Sequence, residues 1–451
     1  VFLVQRAESW INVHRLWVLM QEDDRFCTEV RVILHDDDAS ETLRKREACI
    51  AHLRASGVVV DETASDAPRP LESGQFDVAI FNAPYERERV PAFHFDRVAQ
   101  HVALTVYVPY GLVMGAGRRN RHYQYAQRTQ RDAGLVIARS EIERSMYARY
   151  CPTGASHVAV TGLPRLDEMY NLQRFQVDIE LTDAIAGRFA VLWNSHFSFG
   201  LSFADGANYS TFDTLVEPLF RYAACNPTVA LVWRPHPALF RVLVQEGVLA
   251  PDEIDAFRAE VKAAGIILDE RPDHRHAFAA SHMLITDLGS FLVEYLTTGK
   301  PLIYLHAAGG EGLNEEGMAL VDHIDTARSA ADAIALIELY ATGVDPRHLS
   351  RQLARERFLP MFDGHASRRV AERILLISKQ PPSVSSIQGP RLRHLFGRMD
   401  QLRNKKTTRG RCAPLPRRWL ALLRLEVAEW VKRHPPILRL FERGTKRRRA
   451  S

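Results

Sequence analysis

Between Ser281 and Leu305 the chain reads SHMLITDLGSFLVEYLTTGKPLIYL, and few folds accept that order of residues. Met283 to Thr286 is a short apolar run, the length of a buried parallel strand. The polar turn Asp287-Leu288-Gly289-Ser290 follows at once. Phe291, Leu292, Tyr295 and Leu296 then recur at helical spacing, which predicts a helix opening at Gly289-Ser290 and closed by Gly299 as a C-terminal cap. Leu302 to Leu305 is the next strand. Strand, turn, helix, strand is the unit of an α/β fold. A helix that opens at the turn aims free N–H groups and its positive end beyond the strand. This predicts a phosphate site at Gly289 and Ser290. Asp287 closes the strand, and Glu294 lies about one helical turn further on, within reach of ribose hydroxyls. Asp and Ser also cap helices where no ligand binds, and that alternative stays open.

A second motif lies upstream, in Thr228 to Pro237, TVALVWRPHP. Val229 to Trp233 reads as a strand that ends in Arg234-Pro235-His236-Pro237. The prolines stiffen the loop and hold His236 in one extended pose. Arg234 is a fixed charge suited to phosphate oxygens. His236 suits donation to an anion or proton exchange near neutrality. A proline-rich turn with a surface histidine is the plainer alternative.

Arg234-Pro235-His236-Pro237, then Ile285-Thr286-Asp287-Leu288-Gly289-Ser290, then Gly299-Lys300-Pro301 resembles the CDP-glycerol glycerophosphotransferases that build teichoic-acid polymers. Thr161-Gly162-Leu163-Pro164-Arg165-Leu166-Asp167 resembles the family's T-G-x-P-R-x-D near the hinge. The resemblance spans Thr161 to Leu305 and implies a GT-B fold, with two Rossmann-like domains facing across a cleft. It implies a CDP-activated donor, bound by Arg234, His236, Asp287, Gly289, Ser290 and Glu294. It also implies a final helix that returns to the first domain. Two departures stand out. The family's turn carries two serines after an aromatic residue, where this chain has Leu288, Gly289 and Ser290. The family's N-terminal H-G-x-P-L-K motif supplies the expected general base; its positional counterpart here, Val108-Pro109-Tyr110-Gly111-Leu112, has no histidine. Tyr110 and Gly111 remain acceptor-side candidates, Tyr110 also reading as a packing residue in a tight turn.

The expected domains are 1–175, an acceptor-side Rossmann-like half; 176–380, the donor half; and 381–451, a basic amphipathic tail. In the first half, strands are expected at Val1–Val4, Val30–Leu34, Phe76–Phe81, Val102–Val108, Leu135–Ala138 and His157–Thr161. Gln5 to Ser9, after the first strand, should face the cleft. His35-Asp36-Asp37-Asp38 reads as a solvated helix start, with a metal site as the lesser alternative. Arg118 to Arg131, RRNRHYQYAQRTQR, suits an anionic acceptor or lipid headgroup, or is a solvated helix. In the second half, Ala190 to Asn194 opens the fold and places His196 at a cleft-facing strand end. There it is the expected general base, packing against its neighbours being the alternative. The glycine-rich Ala308 to Gly312 reads as a flexible cleft-side loop.

The 451 residues are 46% hydrophobic and 25% charged, which fits a globular protein of two or three domains. No apolar run reaches the roughly 20 residues that span a membrane. The five cysteines are scattered without a paired motif, so no metal and no cofactor are expected, and a reducing compartment fits. The chain opens at Val1 in what reads as a strand, so a preceding segment is expected. From Arg391 to Ser451 there are 19 Lys and Arg against 4 Asp and Glu. Trp419, Leu420, Leu422, Leu423, Val427, Trp430 and Val431 accompany that charge, the pattern of interfacial helices. A membrane surface is therefore the expected partner of the tail rather than nucleic acid, placing the protein at the inner face of the membrane. Three functions follow. The first is transfer of glycerol phosphate, or a related polyol phosphate, from CDP-glycerol or another activated donor to a glycan or polymer. The second is nucleotide-sugar glycosyl transfer for surface polysaccharide, with an epimerase as a weaker relative. The third is a non-catalytic nucleotide-binding module.

Overall fold

A computed structural model describes residues 1–379, apart from 37, 61, 64, 113 and 204–207. Two six-stranded parallel sheets organise them. The first is ordered β2-β1-β3-β4-β5-β6, with β1 (Phe2–Val4), β2 (Val30–Val32), β3 (Val78–Phe81), β4 (Leu104–Tyr107), β5 (Leu135–Ala138) and β6 (Val158–Val160). The second is ordered β12-β11-β10-β7-β8-β9, with β7 (Phe189–Asn194), β8 (Val229–Trp233), β9 (Ile267–Leu268), β10 (Met283–Thr286), β11 (Leu302–Leu305) and β12 (Asp325–Ala327). Helices cover both faces, so β10 and β11 are buried along their whole length, as their unbroken apolar runs predict. β2 stops short of Leu34 because Leu34 turns away to bridge Arg89. β12 was not legible in advance: Asp-Thr-Ala has no apolar run.

Each sheet starts in its middle. β1 lies between β2 and β3, and β7 between β8 and β10. The strand order reverses at those points, and crevices open there beyond the carboxyl ends. The second crevice has a rigid floor. Trp193 and Trp233 are register partners on β7 and β8, their rings 6.0 Å apart. Phe212, on the helix Phe212–Cys225, stacks on both. The Trp233 indole N–H donates to the Ser195 hydroxyl at 3.0 Å, and the His236 N–H donates to the Ser195 carbonyl at 2.9 Å. The loops after β7 and β8 are thereby zipped together.

Thr161 to Asp167 ties the chain's end to its first half. The helix Ala366–Lys379 packs against the helices His14–Gln21 and Pro164–Tyr170. The Asp167 carboxylate accepts from the N–H groups of Ala366 (3.0 Å) and Ser367 (2.7 Å), capping that last helix from another part of the chain. Arg369 Nε donates to the Thr161 carbonyl at 2.6 Å. Gly162, at φ +76°, lets the chain turn where a Cβ would stand 3.1 Å from the Ala366 Cβ. The expected donor half, 176–380, thus yields its last helix to the first half. Asp38 caps the helix Ala39–Ala55, and Asp36 pairs with Lys45; Asp37 lies outside the described residues. The tail from 380 onward also lies outside them. No helix among the described residues is long and apolar enough to cross a membrane.

Replacing Asp167 with Ala leaves two buried N–H groups without an acceptor. We expect a loss of about 1–3 kcal/mol, read as a lower urea midpoint; an unchanged midpoint removes Asp167 from the hinge.

Candidate active site

The crevice between the halves is built from six turns. From the first half come the turns after β1, β3 and β4; from the second come those after β7/β8 and β10. Thr286 is register partner of Asn194, so the β10 turn stands directly beside the β7 turn.

His196 and His236 are neighbours, their ring centroids 5.4 Å apart, with Phe197 against both. The Ser198 N–H donates to His196 Nδ1 at 3.2 Å, and the Ala238 N–H donates to His236 Nδ1 at 3.1 Å. At His236 this leaves Nδ1 without a proton, so the neutral ring holds its proton on Nε2; His196 Nδ1 also lies 2.7 Å from the Ser198 hydroxyl, which can accept or donate. Neither Nε2 has a protein partner among the described residues. Burial in the crevice lowers His196 to about 4 and lowers His236 well below the ordinary range, the latter helped by the charges of His196 and Arg6. Both rings are neutral at physiological pH, and His236 presents an Nε2–H donor. Arg6, from the turn after β1, faces His236 closely enough to depress it; its guanidinium is ion-paired with Glu88.

Asp287 is buried and fully engaged. It accepts from the His196 N–H (2.7 Å), the Thr211 N–H (3.1 Å), the Thr211 hydroxyl (2.6 Å) and the Ser210 hydroxyl (3.4 Å). Burial nonetheless raises it to about 7. It fixes the His196 loop from below. The Gly289 turn is open: a Cβ there would meet nothing within 4 Å, and the same holds at Gly111 across the crevice. One flank of the crevice is closed. Ala116 N–H donates to the Gly312 carbonyl (2.9 Å), Asn314 N–H donates to the Met114 carbonyl (2.7 Å), and Arg139 pairs with Glu316 between the halves.

No protein-family model and no curated protein matches the sequence. Solved structures do resemble it. A UDP-N-acetylglucosamine 2-epimerase matches with a TM-score of 0.53 at 15% identity, over 85% of this chain and 97% of its own. The UDP-GlcNAc 2-epimerase from Neisseria meningitidis, bound to UDP-GlcNAc, matches at 0.53 and 14%, over 83% and 98%. A variant of the wall teichoic acid polymerase TagF matches at 0.50 and 11%, over 84% and 88%. At such identities the likeness speaks for architecture. The fold is GT-B.

Within this GT-B frame several expectations need correction. The helix after β10 begins at Phe291, not at Gly289-Ser290. It has one α-turn, Phe291–Glu294, and continues as the 3-10 segment Tyr295–Thr298, which ends at Gly299 with φ +70°. Ser290 makes no side-chain cap, and so short a helix has a weak dipole. Arg234 is not a free charge: it pairs with buried Asp269 at 2.6 Å and donates to the Arg271 carbonyl at 2.5 Å. Asp287 positions the loops and has no oxygen left over. Glu294 is wholly buried, its two oxygens taken by Arg165 and His274, both at 2.7 Å. A ribose would have to displace one of them. His196, the expected general base, is held neutral by burial, with its Nδ1 shared with Ser198. The Ala308–Gly312 loop is packed: a Cβ at Gly310 would stand 2.1 Å from the Asn208 carbonyl oxygen.

Sequence reasoning missed the Arg165–Glu294–His274 group. Arg165 stood inside a motif marked as a hinge, and its charge in an apolar L-P-R-L frame was the available signal. It also donates to the Tyr110 carbonyl at 2.9 Å, joining the turn after β4 to the second half through Glu294. Arg165 and the hydrogen bond from His274 hold Glu294 near 2 against its burial. A carboxylate lowered in this way stabilises the fold above its ordinary pKa, 4.5, and the contribution is lost as pH falls through about 2. Arg165→Met should destabilise by about 3–5 kcal/mol at pH 7 by stranding that charge. The gap to wild type should narrow in acid as Glu294 takes up a proton. A pH-independent gap in unfolding experiments would refute the ion-pair account.

Proposed function

We propose that the chain is a transferase moving glycerol phosphate, or a related polyol phosphate, from a CDP-activated donor to a cell-surface glycan or polymer. The paired neutral rings of His196 and His236, opposite Arg6 and beside the open Gly289 turn, carry this reading. Neutral donors in a water-poor crevice suit a diphosphate: they bind its oxygens without the cost of a buried charge pair. In the transfer the acceptor hydroxyl attacks the glycerol-bearing phosphorus, its proton passes to solvent or a phosphate oxygen, and CMP leaves. Charge grows on the leaving phosphate, and fixed N–H donors there lower the barrier. Arg234 sets the His236 loop through Asp269, and Asp287 sets the His196 loop; both act as positioning residues. Tyr110 and Gly111 border the acceptor side. The basic tail would hold the enzyme at the inner face of the membrane.

The motif series from Arg234 to Pro301 favours the CDP-glycerol donor class. Leu288-Gly289, in place of the family's aromatic residue and serine, favours a nucleotide sugar as the second reading, as does the architecture shared with nucleotide-sugar enzymes. Thermal shift with CDP, UDP and GDP separates the readings. A larger shift with UDP or GDP selects the nucleotide-sugar reading, and no shift at millimolar nucleotide leaves a non-catalytic module.

His196→Ala and His236→Ala should each weaken nucleotide binding and lower CMP release from CDP-glycerol by about 100-fold. His196→Gln, which keeps an N–H donor but cannot act as a base, should recover most of that loss. If Gln is as poor as Ala while nucleotide affinity is intact, His196 serves as a base after all.

A further inference from the structure

A second cavity, of about 800 Å³, lies away from the crevice at the opposite ends of the strands. Thr297, Thr298 and Lys300 border it, and Lys300 stands just before β11. That is the amino end of a parallel sheet, so cavity and crevice are separated by a four-residue strand, roughly 13 Å. Three pieces of chain meet there. The segment that carries Arg165 contributes Met169, Tyr170 and Leu172. The helix after β10 contributes the two threonines. The stretch that leads from the helix His348–Phe358 to the last helix contributes Arg355, Leu359 and Phe362.

The cavity has an apolar wall and one free charge. Met169, Leu172 and Leu359 are buried, and Tyr170 meets Phe362 edge to face at 5.5 Å. Tyr170 is nonetheless 50% exposed, so apolar ring surface is left uncovered. Most cations around the cavity are spent. Lys300 Nζ donates to the carbonyls of Phe278 (2.8 Å), Ala279 (2.9 Å) and Ser281 (2.6 Å), which uses all three of its protons. Arg351 pairs with Asp345, Arg347 with Asp325 and Arg369 with Asp363. Arg355 differs. It is half-buried at the cavity, and its guanidinium has no partner among the described residues. The one carboxylate of the lining, Glu356, is exposed. A guanidinium partly withdrawn from water is matched by a carboxylate or phosphate that takes two of its N–H groups.

We propose that this cavity is a second ligand site, for an anionic amphipath whose acidic head sits on Arg355 and whose apolar body lies against Tyr170, Phe362, Leu359 and Met169. Its volume is that of small-molecule sites in general. The walls lead back to the crevice through the buried ion pair. Met169 is one turn past Arg165 on the same helix. Thr297, whose hydroxyl donates to the Glu294 carbonyl at 2.6 Å, is one turn past Glu294. An occupant braces both of the helical segments that hold the pair, so it acts as an effector and not as a substrate. The site is independent of the transferase reading.

The test is calorimetry of the full chain with decanoate, decyl phosphate, decyltrimethylammonium and decanol, each kept below its micelle concentration. Both anions should bind at a single site and raise the melting temperature; the cation and the alcohol should be about tenfold weaker or more. Arg355→Ala should weaken the anions about tenfold and leave the melting temperature of the free protein unchanged, while Arg355→Lys recovers part of the loss. Ala279→Trp, which fills the cavity, should abolish binding. Decanoate should slow hydrogen exchange at 165–170 and 294–299 in the wild type and not in Arg355→Ala. The proposal is overturned if neither anion binds, or if the cation or the alcohol binds as tightly. It is overturned if binding survives Arg355→Ala, since the anions would then sit on the basic tail, or if the anions bind only within phospholipid vesicles, since the cavity would then be a membrane contact. Binding that responds to Arg355 without slower exchange beside Arg165 and Glu294 keeps the site and rejects its effector role.

Discussion

The guanidinium of Arg165 holds the two halves of the molecule in one geometry. It lies almost wholly out of water, donating to the Tyr110 carbonyl in the first half and to Glu294 in the second. His274 takes the second Glu294 oxygen. Ions removed from water are tolerable only when paired and oriented, and one partner alone would be a large penalty. The arrangement therefore exists only when the halves are docked, and it couples the Tyr110 turn to the helix after β10. Two residues on in the same segment, Asp167 caps the last helix and returns the end of the described chain to its beginning.

With the halves fixed, the chemistry of the crevice follows from what is excluded from it. Burial keeps both histidines neutral, and at His236 a backbone N–H two residues downstream dictates which nitrogen carries the proton. Asp287 sits beneath them with every oxygen in use. Its carboxyl, raised to about 7, is the group near the site whose charge changes around neutrality. The residues that sequence motifs single out thus divide into two kinds. His196, His236 and the Gly289 turn face open space. Arg234, Asp287 and Glu294 are spent on holding those three in place.

The architecture was legible because parallel α/β sheets write themselves as apolar runs bounded by polar turns. Val229–Trp233, Met283–Thr286, Leu302–Leu305 and Leu135–Ala138 were read to the residue. The stretch Ile266–Asp269 also reads as a strand, and β9 is its middle, Ile267–Leu268, whereas β12 lacks an apolar run and only its neighbouring strand defines it. The helix after β10 was read too long at its start because Gly289-Ser290 has the composition of a helix head. Ser290 does take helical angles, yet no regular turn forms until Phe291.

The sequence by itself determined the element order, the two strand-rich halves, the cleft-facing turns and the histidines within them, because periodicity and turn residues are local properties of the chain. Only the tertiary structure decided what each polar group does. Whether Arg234, Asp287 or Glu294 meets a ligand or a partner in the chain depends on contacts between segments 35 to 129 residues apart. Whether a histidine is a base or a donor depends on which backbone N–H reaches its Nδ1 and how much water surrounds it. Those are matters of packing, and the desolvation that settles them arises only when distant segments of the chain come together.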